Sequence, residues 1–232
     1  MTRLLLPLVA LLLVAMVVPA NAGQVENARA ENASRVLTEI LRIPEESIPA
    51  RLLENAQAIA VIPNVIKVGF VAGGRRGRGV IAIRGQDGTW TQPSFITLTG
   101  GSFGFQAGVQ SADVILVFRS AQGVDSIIKG KFTLGGDASV AAGPVGRSAQ
   151  ASTDERLKAE IFSYSRARGL FAGVALDGTR LAIDNRSNEA AYGTGTTPRA
   201  IFEGRAGRGS DALVAFRDRL EEATVKQPEP VK

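Results

Sequence analysis

The apolar residues of the chain follow two periods, and the first of them is helical. Over residues 26–42 they recur at spacings of three and four, which predicts an amphipathic helix. Its apolar face consists of Ala33, Val36, Leu37, Ile40 and Leu41. Pro44 ends the helix, and a second short helix is expected from Ser47, whose hydroxyl can cap it, to about Asn55.

From residue 56 the period changes to two, which predicts strands. Pro63 and the glycines after it interrupt the alternation, so residues 56–85 are expected to form three short strands. Residues 94–118 are interpreted as a long glycine-rich strand followed by the core strand DVILVF. The pairs Asp87-Gly88 and Asp177-Gly178 predict hairpin turns.

Beyond residue 120, short helices and short strands alternate. Helices are predicted at residues 121–128 and 185–192, with several strands between them, and a last amphipathic helix follows Ser210. These elements predict the α+β class: a mainly antiparallel, curled or barrel-like sheet with flanking helices, N-terminal helices and a C-terminal helix.

Residues 1–22 have the pattern of a cleavable signal peptide. A positive Arg3 precedes an apolar run over residues 4–18, and residues 20–22 form an A-x-A cleavage pattern. Because the run is shorter than the roughly 20 residues of a spanning helix, cleavage before Gly23 is favoured over an uncleaved anchor. No Cys follows the run, which excludes a lipoprotein anchor. The protein is therefore expected to be periplasmic or secreted.

The composition excludes several classes of enzyme. The 232 residues include no His and no Cys, which rules out histidine bases, thiol nucleophiles and zinc–thiolate sites. The aspartates are scattered and no phosphate-binding loop is complete, so we expect no catalytic residue, no metal and no cofactor. The formal net charge is +5. Nucleic acid is disfavoured as a partner, because this excess is small and the signal peptide predicts export.

The most unusual motif is the run of glycines and arginines over residues 73–79. Its candidate lipid-binding residues are Arg75, Arg76, Arg78, Gly74 and Gly77. Guanidinium groups make forked contacts with phosphate oxygens, and glycines let a backbone approach an anion. Three basic residues near an anionic leaflet would raise the affinity roughly a hundredfold, at about 1 kcal/mol each. A solvated basic hairpin tip without a ligand fits the same composition.

The amphipathic helix over residues 26–42 also has two interpretations. Its Val, Leu and Ile stripe could lie on a membrane surface, or it could pack on the sheet of the protein itself. Packing is favoured, because most amphipathic helices of globular proteins bury their stripe and this one contains no Trp or Phe.

Several motifs together resemble the SYLF domain, a lipid-binding family of bacteria and eukaryotes. The motifs are AIAVIPNVIKVGFVAGGRRGRGV, GSFGFQAG, DVILVF, GKFTLGGDASVAAGPVGR and AEIFSYSRARGLFAGVALDG. The resemblance covers residues 33–193 and divides the chain into three parts. They are a signal peptide (1–22), a SYLF-like lipid-binding domain (23–193), and a linker with a C-terminal helix and a disordered tail (194–232).

The resemblance implies binding to membrane phospholipids and no enzymatic activity, so we expect an exported bacterial member that binds anionic phospholipid membranes. It assigns lipid contact to Arg75, Arg76 and Arg78, and more weakly to Arg29, Arg35 and Arg42 of the first helix. Some fungal relatives bind actin, which an exported chain is not expected to meet. The alternative is an envelope scaffold whose C-terminal helix binds a protein partner.

Overall fold

The computed structural model describes residues 23–42, 48–129, 132–145, 159–167 and 170–224. The signal-peptide segment (1–22), the proposed cap Ser47 and the C-terminal tail (225–232) lie outside the described residues.

Six helices and seven strands make up the described part of the chain. The helices are α1 (Gln24–Leu41), α2 (Ala50–Glu54), α3 (Ala121–Ile128), α4 (Asn185–Tyr192), α5 (Pro198–Phe202) and α6 (Asp211–Thr224). The strands are β1 (Ala58–Ile83), β2 (Ser94–Phe118), β3 (Phe132–Thr133), β4 (Val140–Ala142), β5 (Ile161–Ala167), β6 (Leu170–Gly173) and β7 (Arg180–Ile183). Within the described ranges, no helix combines the length and the apolar character that a bilayer crossing needs.

The strands form one curled sheet in which every pair is antiparallel except β4 with β5. The α+β class and the mainly antiparallel sheet with flanking helices are therefore confirmed. Helix α1 spans almost the predicted residues, and α3 and α4 have the predicted bounds. The Asp87-Gly88 turn is also present, with Gly88 at a φ of 84°.

The prediction of three short strands over residues 56–85 is wrong, because β1 is a single strand of 26 residues. Pro63 lies at an irregularity between Ile62 and Val65, after which pairing with β2 resumes. Asn64 takes a φ of 51° at this bulge, and its backbone N–H donates to Asp113 Oδ1 at 2.9 Å. Pro63, which has no N–H to contribute to the ladder, thus interrupts the pairing without ending the strand.

The β1–β2 hairpin bends back on itself. A Cβ atom added to Gly79 would lie 2.1 Å from the carbonyl oxygen of Val61, so the two ends of β1 are in direct contact. The close approach continues toward the middle of β1, where a Cβ atom added to Gly73 would lie 2.0 Å from the carbonyl oxygen of Val68.

Side chains on the two faces of the sheet build two cores. The first lies between the sheet and helices α1, α2 and α6, and includes Val36 and Leu37 of α1. The second lies on the other face, where Val124 and Ile127 of α3 contribute. Ala33, Val36, Leu37 and Ile40 of the apolar stripe of α1 are buried in the first core, which confirms the packing interpretation of that helix.

The C-terminal segment belongs to this body. Helix α6 packs along α1 and buries Leu213, Phe216 and Leu220 in the first core. Trp90 Nε1 donates to Thr224 Oγ1 at 2.8 Å, which ties the end of α6 to the β1–β2 turn. The segment expected to be a linker contains α5, whose N-terminus is capped by the Thr197 side chain.

Candidate functional site

The arginine cluster lies within strand β1, not at a hairpin tip. Arg75, Arg76 and Arg78 pair with Gly100, Thr99 and Thr97 of β2. The hairpin-tip interpretation is therefore wrong. Because side chains alternate across a strand, Arg76 and Arg78 share the face toward α1, and Arg75 lies on the opposite face.

The glycines of the cluster have two different roles. Gly77 is buried, and a Cβ atom there would lie 2.6 Å from Ile62 Cγ2 and 2.7 Å from Val65 Cγ2. The absence of a side chain at this position is therefore needed for the bend of β1. Gly77 also lines the groove described below, and its role in letting an anion approach the backbone stays a prediction. Gly74 is exposed, with Gly100 O as the nearest atom at 3.9 Å from an added Cβ.

Arg76 and Arg78 border a groove between α1 and β1. Its volume is about 600 Å³, and it is open to solvent along its length. The other lining residues are Val25, Ala28, Arg29 and Asn32 of α1 and Pro63, Asn64, Ile66 and Gly77 of β1. The groove therefore combines a mainly apolar wall with two guanidinium groups at its border.

An exposed apolar strip continues from this groove along the hairpin. Val68 follows Ile66 on the same face and pairs directly with Val109 of β2. Val25, Ile66, Val68 and Val109 expose 57%, 48%, 50% and 71% of their surface. They are four of the five large apolar residues that the described part of the chain leaves exposed.

The two groove arginines are available to an external anion. Both side chains are exposed, and among the described residues no carboxylate forms an ion pair with either of them. In the part of the chain that the structure describes, no carboxylate lines the groove either. The face therefore has positive charge beside exposed apolar surface.

Arg29, which the resemblance assigned to lipid contact, is a buried structural residue. Its Nη1 lies 3.2 Å from Asp184 Oδ2 and 3.3 Å from Ser187 Oγ, and its guanidinium is stacked 5.1 Å from the centre of the Phe95 ring. Only 8% of the residue is exposed. This ion pair joins α1 to the start of α4. Arg29 also lines the groove, but its charge is already paired with Asp184, so it is not a candidate contact for an external anion.

Arg35 of α1 and Arg42 at its C-terminal end are both exposed. Of these two, Arg35 has an ionic partner among the described residues and Arg42 has none. Arg35 contacts Glu39 Oε1 at 3.3 Å and Asn32 Oδ1 at 3.3 Å. Glu39 also accepts a hydrogen bond from Arg166 of β5. Although burial opposes it, the contacts from Arg166 and Arg35 hold the pKa of Glu39 below its ordinary value. The charge of Arg35 is thus partly neutralised.

Arg75 is half-buried on the opposite face of the hairpin, beside a second pocket. Its Nη1 approaches the carbonyl oxygen of Ala175 at 3.5 Å, and burial lowers its pKa. The three arginines predicted to form one cluster are therefore divided between two sites.

Sequence reasoning missed the apolar half of the groove face. The alternation of Ile66 and Val68 was visible, and it lies close to the arginines in the sequence. The contribution of Val25 and Val109 depends on α1 and β2 lying beside β1, which no local pattern encodes.

The fold, a curled sheet covered by α1 and α6, together with this basic and apolar face, defines an α+β domain with a surface site. A family model described as "Ysc84: Las17-binding protein actin regulator" matches residues 99–223, which is more than half of the 232 residues. The chain belongs to this family, which confirms the resemblance to the SYLF domain. The match extends through α6.

Three relatives illustrate the relationship. "Protein YSC84" of Saccharomyces cerevisiae is 39% identical over 164 residues, covering 69% of this chain and 35% of the yeast protein. "LAS seventeen-binding protein 3" of the same yeast is 38% identical over 164 residues, covering 69% and 36%. "SH3 domain-containing YSC84-like protein 1" of Homo sapiens is 34% identical over 181 residues, covering 75% and 52%. The chain thus spans about a third to a half of the length of these relatives.

Proposed function

We propose that this protein is a peripheral membrane protein that binds anionic phospholipid bilayers through the groove face of its β1–β2 hairpin. The observation that carries the proposal is the placement of the guanidinium groups of Arg76 and Arg78, which have no ionic partner among the described residues, beside exposed apolar residues on one face. We further propose that the protein acts by binding, without catalysis.

The charge of the face supports this function. A basic residue close to an anionic leaflet contributes about 1 kcal/mol, so two contribute about 2 kcal/mol, or roughly 30-fold in affinity. Guanidinium groups suit phosphate oxygens because their donors form a planar fork. Arg42 and the partly neutralised Arg35 would add a weaker attraction along α1.

The apolar strip adds a second, salt-independent contribution. Each residue of the strip exposes about half of its surface or more, from 48% for Ile66 to 71% for Val109. Removing such side chains from water is favourable by about 25 cal/mol for each Å² that is buried. Shallow insertion of the strip, with the arginines at the headgroup level, would use both parts of the face at once.

Vesicle co-sedimentation with a double variant tests the proposal. Arg76→Gln/Arg78→Gln is expected to weaken binding to phosphatidylglycerol-containing vesicles roughly 30-fold, because both changes remove headgroup contacts. The matched control is Arg186→Gln/Arg199→Gln, which removes the same charge from exposed positions on α4 and α5. The control is expected to bind like the unchanged protein.

Vesicle binding measured at different salt concentrations and with neutral lipid gives the outcomes that would contradict the proposal. Binding should weaken as salt shortens the screening length from about 10 Å at 0.1 M to about 3 Å at 1 M. Equal binding to neutral phosphatidylcholine vesicles, or equal losses in the two double variants, would show that the groove arginines do not direct the protein to anionic lipid.

We also propose that the protein is exported after cleavage before Gly23. Helix α1 begins at Gln24, so removal of residues 1–22 would leave every described element in place. The mass and N-terminal sequence of the protein recovered from a periplasmic extract test this. An N-terminus at Gly23 is expected, and a chain that keeps Met1 at the membrane would contradict it.

A second candidate is a protein-interaction module, which the family description as a Las17-binding protein actin regulator favours. The purified protein distinguishes the two functions. Vesicle binding in the absence of any other protein supports the lipid function, whereas recruitment to vesicles only in the presence of a cell extract supports a protein partner.

A further inference from the structure

A second pocket opens on the face of the hairpin opposite to the groove. Its volume is about 260 Å³, and it lies at the end of the second core, where Val65, Val114 and Leu176 form part of its wall. Strands β1 and β2 provide one side, and the segment after β6, residues 174–176, provides the other.

Arg75 reaches this pocket with an uncompensated charge. Its Nε atom is buried and has no hydrogen-bond partner among the described residues. Within the same residues, the guanidinium makes one hydrogen bond, the 3.5 Å approach of Nη1 to Ala175 O. Partial removal of a guanidinium from water is costly unless hydrogen bonds or an opposite charge compensate it. A bound anion would compensate both the buried N–H and the charge.

The other groups around the pocket also favour an anion. Lys67 lies on the same face of β1 as Arg75, and Gln110 of β2 and the hydroxyl-bearing Ser165 of β5 are the remaining polar residues of the lining. Within the described ranges of the chain, the pocket has no Asp or Glu in its lining. The nearest acid on β2, Asp113, accepts the N–H of Asn64 instead.

The size and the apolar walls narrow the class of ligand. The volume is below the roughly 300–1,000 Å³ of sites for drug-sized molecules, so a ligand must be small. Val65, Val114, Val174 and Leu176 offer apolar contact but no charge. A ligand that uses the whole pocket has one anionic group and a short apolar part.

We propose that this pocket binds a small amphiphilic anion, a carboxylate or phosphate monoester on a short alkyl chain, with Arg75 and Lys67 holding the anionic group. A guanidinium can bind either group through two parallel N–H bonds. The site is separate from the membrane face, because Arg75 and the pair Arg76 and Arg78 lie on opposite faces of β1.

Thermal unfolding and calorimetry with four probes test this site. Sodium hexanoate and hexyl phosphate are expected to raise the Tm of the purified protein in a concentration-dependent way, at an ionic strength matched with NaCl. Hexan-1-ol and inorganic phosphate each lack one half of the proposed ligand and are expected to raise it much less. An equal shift with hexan-1-ol would overturn the proposal.

Three variants connect the binding to this pocket. Arg75→Gln is expected to weaken hexyl phosphate binding at least tenfold. Ala112→Leu, which fills the pocket and keeps every charge, is expected to abolish it even if Arg75→Gln does not fold. Arg76→Gln/Arg78→Gln should bind the probe normally while losing vesicle binding. Unchanged probe affinity in Ala112→Leu would contradict the site, whatever the outcome of the vesicle experiment.

Discussion

Arg29, Arg75 and Arg76 carry the same guanidinium group into three different environments. Arg29 is buried against Asp184, Arg75 is half-buried without an acid, and Arg76 is exposed beside the groove. The sequence around them does not distinguish these environments, because each depends on residues far away in the chain. Their expected effects on stability and binding therefore differ.

The Arg29–Asp184 pair predicts a pH-dependent contribution to stability. Burial would raise the pKa of Asp184, but hydrogen bonds from Ser187 and the charge of Arg29 hold it below its ordinary value. Since the pKa is lower in the folded state, ionised Asp184 stabilises the fold at neutral pH. That contribution is lost as the pH falls below about 3.9, the ordinary value of an aspartate, through the folded-state pKa.

Asp184→Asn isolates this charge, because Asn can still cap helix α4. We expect the variant to be less stable than the unchanged protein by about 2 kcal/mol at pH 7, since Arg29 keeps its burial but loses its ionic partner. Urea unfolding between pH 7 and pH 3 should show the difference narrowing below pH 4. A difference that stays constant over this range would contradict the role of the charge.

Two glycines of β1 are expected to tolerate substitution very differently. An added Cβ at Gly79 meets the Val61 carbonyl oxygen at 2.1 Å, whereas at Gly74 the nearest atom is 3.9 Å away. Gly79→Ala should therefore cost at least about 2 kcal/mol of unfolding free energy through overpacking. Gly74→Ala should change it by less than about 0.5 kcal/mol. Similar urea midpoints for the two variants would show that the bend of β1 is not tightly packed.

At the scale of elements, local patterns predicted α1, α3, α4 and the Asp87-Gly88 turn, but not α5. The Asp177-Gly178 turn does not join paired strands as predicted, because β6 pairs with β5 and β7 pairs with β2 and β3. Helix α1 has a 3.6-residue period, and the Asp87-Gly88 turn has its own local chemistry, so both could be predicted from neighbouring residues. The continuity of β1 could not be predicted, because Pro63 and the glycines look like strand breaks. Only the contact between Gly79 and Val61, 18 positions apart, explains why glycine is needed inside this strand.

In the candidate site, too, local features could be predicted from the sequence and long-range ones could not. The basic residues of β1 could be predicted as a candidate site, since three arginines in four positions are unusual. Their division between two faces follows from strand alternation, which could be applied only once residues 73–79 were known to be extended. The groove itself depends on α1 lying beside the bent hairpin, which is a long-range contact.

Helix α6 predicts a stability effect of its own. Phe216 of α6 is fully buried in the first core, although it lies beyond the predicted domain boundary at residue 193. Phe216→Ala should lower the unfolding free energy by about 3–5 kcal/mol. Asp218→Ala, on the exposed side of the same helix, should change it by less than about 0.5 kcal/mol. Equal, small effects would indicate that α6 is an appendage of the domain.

At the scale of the whole molecule, the two sheet faces give the protein a defined orientation at a bilayer. Helix α1 and the apolar strip of the hairpin lie on one side, and α3 lies on the other. Membrane binding through the groove face would bring Val68 to the lipid and leave α3 in water. This orientation is the central claim of the proposed function.

Site-specific fluorescence tests that orientation most directly, and the absence of Cys from the sequence makes single labelling simple. An environment-sensitive dye on Val68→Cys should shift to shorter wavelength when phosphatidylglycerol vesicles are added and should not respond to neutral vesicles. The same dye on Asp125→Cys, an exposed position of α3, should not respond to either. A blue shift at position 125 without one at position 68 would contradict the proposed membrane face.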